Sequence, residues 1–196
     1  MENVLLKGFE NDVFDSQAVF RKILTAMANP GTIVKLDINL KCPCRLYCAT
    51  GAILLTLLDF ETLLWSDFKN LSEEITWTKF HTGAPFARSA KSALFALVSN
   101  PDNLNDISIF NKGTLKSPHD STTLIIQVDS LNNEKKFCLS GPGIKSHAYL
   151  GMENIDKIIK NKAIDFNDNY PMGLDMIFVC RNRFAVIPRT TKVEVL

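Results

Sequence analysis

Four short segments rich in glycine and proline carry the residues of this chain best suited to chemistry. They are Phe80-His81-Thr82-Gly83-Ala84-Pro85, Leu139-Ser140-Gly141-Pro142-Gly143, Tyr170-Pro171-Met172-Gly173-Leu174-Asp175 and Ile187-Pro188-Arg189-Thr190-Thr191. Proline fixes φ and glycine enters turns closed to other residues, so such corners hold hydroxyls, N–H groups and a guanidinium in set positions. The same residues also make plain turns at strand ends. Around Ser140, Gly141 and Gly143, successive N–H groups can converge on an anion, with the Ser140 hydroxyl as a further donor and Lys145 and His147 just beyond. Arg189, Thr190, Thr191 and Lys192 gather a guanidinium fork, two hydroxyls and an ammonium, a set matched to phosphate or carboxylate oxygens. The structural alternative for Arg189 is an ion pair with Asp175 or Asp59 that ties the last hairpin to the core.

His81 is a candidate general acid or base, or else a ring hydrogen-bonded to structure, since the sequence offers no matching nucleophile. Arg21 stands on the polar face of the first helix near Asp15 and Ser16, which read as its caps. Trp65 and Trp77 read as core or interface anchors. Cys42-x-Cys44-x-x-x-Cys48 would give zinc three soft ligands where a closed site wants four, and no histidine lies near, so thiols in a loop are expected and no metal. The chain has no phosphate-binding Walker loop, G-x-G-x-x-G, G-x-S-x-G or H-E-x-x-H motif, which weakens the case for a self-sufficient enzyme.

A chain of 196 residues is expected to form one domain, residues 1–196, with a core of its own. Its 22 basic and 21 acidic side chains leave a net charge of +1, so neither nucleic acid nor a membrane surface is an expected partner and any anion site must be local. The beginning of the chain lacks a basic leader and a long apolar stretch, and five cysteines are an odd number, which together set the expectation of a cytoplasmic protein with reduced thiols. Apolar runs such as 53–58 and 93–98 are far shorter than the roughly 18 residues of a membrane span.

The elements that must position these corners follow from periodicity. Val19, Phe20, Ile23, Leu24 and Met27 recur on one face of a helix capped near Asp15 and stopped by Asn29-Pro30-Gly31. Residues 32–38 alternate as a strand, and 50–58 read as a buried helix. Strands are expected at 62–65, 75–80, 93–98 and 122–128, the last central, with a short helix at 103–110. Asn132-Asn133 is read as a hairpin turn into 136–139, and 152–162 as an amphipathic helix. A final hairpin pairs 174–180 with 184–187, and Val193 and Val195 alternate in a last strand. Strands and helices mix throughout, so the fold class is α/β, a mixed β-sheet flanked by helices.

Seven stretches in one order, nearly end to end, resemble the PhnH family of the bacterial carbon–phosphorus lyase system. They are Val13-Phe14-Asp15-Ser16-Gln17-Ala18-Val19-Phe20-Arg21, Ala26-Met27-Ala28-Asn29-Pro30-Gly31, Leu55-Thr56-Leu57-Leu58-Asp59-Phe60-Glu61-Thr62, Phe80 to Pro85, Ser140 to Ile144, Pro171-Met172-Gly173-Leu174-Asp175, and Ile187 to Val195. The chain departs from the family pattern at Asn11-Asp12 and in the cysteine loop.

The resemblance implies a truncated fold similar to pyridoxal-phosphate-dependent transferases but without the cofactor, and no other cofactor. It implies a homodimer when isolated and a place in phosphonate catabolism beside the PhnG, PhnI, PhnJ and PhnL subunits. The family's role would be to help exchange the adenine of ATP for methylphosphonate, giving ribose 1-methylphosphonate 5-triphosphate, with ATP and an alkylphosphonate as candidate ligands. It carries over no catalytic residue. The matching positions Arg21, His81, Ser140, Gly141, Gly143, Asp175, Arg189, Thr190 and Thr191 are therefore candidates for ligand or partner binding. The expectation is an assisting subunit whose corners meet on one flank. Its rivals are an independent enzyme on phosphate or ribose compounds that uses His81 and Arg189, and a stand-alone pyridoxal-phosphate protein.

Overall fold

In the computed structural model, which describes residues 6–104, 106–153, 155 and 170–196, the chain opens into a long helix, α1 (Asp12–Ala28). Its cap is Asn11, whose side chain accepts from the Phe14 N–H, while the Asp15 carboxylate accepts from the Asn11 N–H at 2.9 Å. Asp15 thus serves the cap from inside the first turn, and the helix starts earlier than an Asp15 cap would allow. Val19, Ile23 and Ala26 face the core, whereas Phe20 and Leu24, expected there too, are 45% and 51% exposed.

Strand β1 is only Val34–Lys35, and helix α2 (Cys48–Leu57) is buried on all sides from Ala49 to Leu54. Strand β2 is Leu64–Ser66, displaced along the chain because Asp59 accepts from the N–H groups of Glu61 and Thr62 and closes a turn there. The next segment overturns an expected strand: residues 75–80 lie in helix α3 (Glu73–Thr82). Ser72 caps it by accepting from the Ile75 N–H, Glu73 and Glu74 fill its first turn, and Gly83 ends it in the left-handed conformation. Good caps at both ends outweigh the strand propensity of Ile75, Thr76 and Trp77, and Glu74, Ile75, Trp77 and Thr78 are buried at helical spacing.

Strands β3 (Phe95–Val98) and β4 (Thr123–Gln127) follow, joined through 3-10 turns at Pro101–Asn103 and Ile107–Ile109 in place of the expected single short helix. Asn100 and Asp106 each cap a separate turn, which splits it. No turn forms at Asn132-Asn133. Strand β5 (Leu131–Ser140) runs straight through with a register irregularity between Asn132 and Phe137, and its hairpin partner is β6 (Ala148–Met152). The expected helix at 152–162 begins on Met152, the end of β6, and otherwise falls almost wholly outside the described residues. Strands β7 (Asp175–Cys180) and β8 (Arg183–Ile187) form the expected hairpin, and β9 (Lys192–Val195) ends the chain.

These strands make two sheets. The larger has the order β1-β8-β7-β4-β3-β2, with β2, β3, β4 and β7 parallel, β8 antiparallel to β7 and β1 antiparallel to β8, and the smaller has the order β6-β5-β9. The sheet is therefore mixed, as expected, with β4 central. Alternate side chains of its strands separate two cores. Ile125, Ile177, Val186 and Phe184 join Val19, Ile53, Leu54 and Trp77 of the helical layer. Leu124, Ile126, Phe178 and Ile187 join Phe137, Leu139 and Leu150 of the small sheet. Helices thus cover one face and a second sheet the other. The parallel strands also start in one row, Leu64, Phe95, Thr123 and Asp175, and two of the corners stand at that row.

Candidate functional site

Asp175 opens β7 and Arg189 follows β8, and the pairing of Met176 with Ile187 sets the two opposite each other at the open end of their hairpin. Arg189 Nε donates to both carboxylate oxygens at 3.3 and 3.1 Å, its Nη2 donates to Oδ2, and its backbone N–H donates to Oδ1 at 2.9 Å. Nη1 donates to the Pro118 carbonyl at 2.6 Å, which brings in the loop before β4. Only 17% of the Arg189 side chain and 15% of the Asp175 side chain is exposed. Of the two roles open to Arg189 in the sequence, the ion pair with Asp175 is the one formed, and Asp59 instead closes its local turn.

The rest of these two corners and the corner at 139–143 close around this pair. Gly173 donates its N–H to the Lys112 carbonyl at 2.8 Å, and a Cβ there would lie 3.0 Å from Cβ of Arg189. Gly141, at φ +134°, passes so near the next turn that a Cβ would sit 2.8 Å from the Thr190 carbonyl oxygen. Gly143, at φ +82°, touches the end of α1, where a Cβ would stand 2.2 Å from the Ala28 carbonyl oxygen. Only glycine fits either place. Ser140 pairs with Lys192 across β5 and β9, which fixes the corner to the strand that leaves Thr191.

Thr191 is fully buried, its N–H donates to the Pro188 carbonyl, and its Oγ1 finds no partner among the described residues. Ser140, Gly141, Gly143, Asp175, Arg189, Thr190 and Thr191 are thus one structural neighbourhood.

His81 and Arg21 are not part of it. His81 lies in the last turn of α3, where its Nε2 and the Leu6 carbonyl oxygen are 2.9 Å apart and its ring lies 4.9 Å from that of Trp77. The chain then returns beside β2, with the Leu64 N–H on the Pro85 carbonyl and a bridge from Leu64 to Phe86. That places the Pro85-Phe86 end of the corner at the β2 edge of the sheet, with β3 and β4 between β2 and β7. Arg21 is exposed on α1, seven residues or about 10 Å along the axis from the end that Gly143 touches. Three of the four corners converge; the fourth belongs to the helical layer.

Polar contacts at the other end of the parallel strands went unforeseen in the sequence. Gln127, buried at the end of β4, accepts from the Tyr47 N–H at 2.7 Å and donates to the Arg45 carbonyl at 2.9 Å. Arg45 in turn forks onto Glu74 at 3.1 and 2.7 Å and lies over the Phe68 ring. Burial pushes the Glu74 carboxyl up, but the hydrogen bonds from Arg45 and Ser72 and the Arg45 charge outweigh it and hold the group below its ordinary value. A polar glutamine inside an apolar strand was the available signal.

Nearby, the Cys42 sulfur lies against Gly51, one turn beyond Cys48 on α2, while Cys44 is exposed. Burial, with Cys48 beside it, pushes the Cys42 thiol up to about 12. No group of three His, Cys, Asp or Glu able to hold a metal ion forms among the described residues. No helix there is long and apolar enough to cross a membrane.

Comparison with known proteins agrees with the family resemblance. A family model described as "Bacterial phosphonate metabolism protein (PhnH)" matches residues 7–194. The chain is 32% identical over 193 residues to the "Alpha-D-ribose 1-methylphosphonate 5-triphosphate synthase subunit PhnH" of Rhizobium meliloti (strain 1021), covering 95% of this chain and 94% of that protein. It is 26% identical over 178 residues to the "Putative C-P lyase subunit protein HtxG" of Stutzerimonas stutzeri, covering 91% of this chain and 85% of that one.

Proposed function

This chain belongs to the PhnH family of bacterial phosphonate metabolism proteins, and we propose that it is an assisting subunit of a carbon–phosphorus lyase system. In this reading it works beside PhnG, PhnI and PhnL to form ribose 1-methylphosphonate 5-triphosphate from ATP and methylphosphonate, ahead of PhnJ. Support comes from a relative covered almost end to end that is named as a subunit of that synthase, and from the family model across 7–194. The homodimer, the cytoplasmic setting, the absence of a cofactor and the likeness to a truncated pyridoxal-phosphate transferase belong to the same proposal.

One observation favours an assisting role over catalysis by this chain alone. The guanidinium fork of Arg189 is turned onto Asp175 and Pro118 instead of outward, and His81 is held against the Leu6 carbonyl and the Trp77 ring, so each of the two side chains of the independent-enzyme reading is engaged in a structural contact. What the pair does is hold three corners in a fixed shape. A fixed flank with glycine backbone and hydroxyls on it suits docking against a partner chain, which loses less entropy on a rigid surface.

The test is to follow adenine release from ATP and methylphosphonate with the purified chain alone, with its partner subunits alone, and with both. Turnover that needs the partners supports the proposal. Adenine release by the isolated chain would overturn it in favour of an independent enzyme.

A further inference from the structure

A cleft of about 220 Å³ lies away from the corners, lined by Lys7, Gly8, Glu10, Asn39 and Lys41. It is built from two stretches far apart in sequence, residues 7–10 and 39–41, which the amide of Asn39 joins by donating to Glu10 Oε1 at 2.8 Å. Its first wall is held from behind, because the Leu6 carbonyl accepts from Trp77 Nε1 at 2.9 Å and lies 2.9 Å from His81 Nε2. The His81 ring also fills the place of a side chain on Gly8, where a Cβ would meet Nδ1 at 3.1 Å, so at that position only backbone faces the cleft. His81, set apart from the corner cluster, therefore fixes the wall of the cleft.

The charge in the cleft is unbalanced. Lys7 and Lys41 line the cleft with Glu10, two cationic residues to one acidic, and neither lysine is paired with a carboxylate among the described residues. Elsewhere the described lysines Lys22 and Lys35 share Asp37, and the cleft lysines have no such neighbour. Two cationic residues lining one volume repel each other, and an anion between them relieves that repulsion. The space holds several waters at about 30 Å³ each, enough for a tetrahedral oxyanion with part of its ester.

We propose that this cleft is an anion site for a phosphorus oxyanion, a phosphate or phosphonate group, held between the ammonium groups of Lys7 and Lys41. The choice of phosphorus oxyanions over other anions rests on the phosphonate reading; the site itself rests on the two cleft lysines, neither paired with a carboxylate among the described residues. Glu10 is kept off the anion by its bond to Asn39 and leaves the site with one net positive charge. That charge is balanced by an oxyanion carrying one formal negative charge.

The test uses the isolated full chain, so that its outcome is independent of subunit assembly. Backbone amide NMR would follow titration with inorganic phosphate, methylphosphonate, ATP and, as an arm of different chemistry, sulfate, all at constant ionic strength. The expected result is saturable shifts at Lys7, Gly8, Asn39 and Lys41 with millimolar affinity, weakened at least about tenfold in Lys7→Gln/Lys41→Gln and unchanged in the surface control Lys116→Gln. The strongest of the first three arms names the source, and binding of sulfate as tight as theirs would overturn the phosphorus assignment while leaving an anion site. No saturable shift in the cleft, or equal shifts in the double variant, would overturn the site altogether. Either failure leaves the reconstitution result untouched, and a failed reconstitution leaves the titration untouched.

Discussion

Arg189 meets Asp175 three times over, through Nε, Nη2 and its own backbone N–H, so one carboxylate locks the open end of the β7–β8 hairpin. The pair is largely out of water and its remaining reach goes to Pro118. Truncating one member strands the other's charge. Asp175→Ala is therefore expected to destabilise the fold by about 3 kcal/mol, while Asp175→Leu combined with Arg189→Met recovers most of that loss. Urea unfolding of the three variants measures both. Equal stability of Asp175→Ala and wild type would mean that the pair does not hold the corners.

Thr191 is a second place where the corner departs from what stability alone would select. Its hydroxyl is buried without a partner among the described residues, and valine shares its branched shape. Thr191→Val is expected to raise stability by about 1 kcal/mol, since an unsatisfied buried hydroxyl is removed at nearly constant volume. A loss of the same size in the urea midpoint would show that the hydroxyl is bonded in the folded protein.

Glu74 ties α3 to the loop before α2, and its folded carboxyl sits below the ordinary 4.5. A depressed carboxylate adds stability that is present above its unfolded value and is lost as pH falls through the folded one. Thermal melts of Glu74→Gln against wild type should therefore differ above about pH 5 and converge in the acid range below the ordinary value. A gap between the two that stays constant down through that range contradicts the assignment.

Cys42 and Cys44 are two residues apart, but the fold gives them different reactivities. Cys44 is exposed, whereas Cys42 is held near 12 by burial. An ordinary thiol has a pKa of about 8.5, so alkylation of Cys42 at pH 8 should be slower by about three orders of magnitude. Peptide mass spectrometry after timed alkylation reads the ratio, and comparable rates would place Cys42 at the surface.

Elements whose signals are local are legible in the sequence. The β7–β8 hairpin is visible because Arg181-Asn182-Arg183 interrupts two apolar runs, and α2 because its leucines and alanines leave no polar face. Helix α3 reads as a strand because Ile75, Thr76 and Trp77 favour one, and only the Ser72 cap and Gly83 stop, acting together, decide otherwise. Strand β5 reads as broken at Asn132-Asn133 because that pair is a common turn, whereas here the neighbouring strands carry it through an irregularity. Within the site, the choice of Asp175 over Asp59 depends on register across the hairpin, which no spacing along the chain can state. The convergence of three corners without the fourth is likewise set by strand order, and β2 stands at the far side of the sheet from β8.

The docking flank proposed for the pinned corners is tested most directly where a substitution changes the surface and leaves the pinning pair alone. Pro142 and Lys192 are exposed beside Gly141 and Thr191, and the hydrogen bonds of the Asp175–Arg189 side chains run to each other, to the Arg189 N–H and to the Pro118 carbonyl. Co-purification of Pro142→Arg/Lys192→Glu with the partner subunits should fall at least about tenfold while its urea midpoint stays within roughly 0.5 kcal/mol of wild type. Full assembly of that variant would contradict the docking flank.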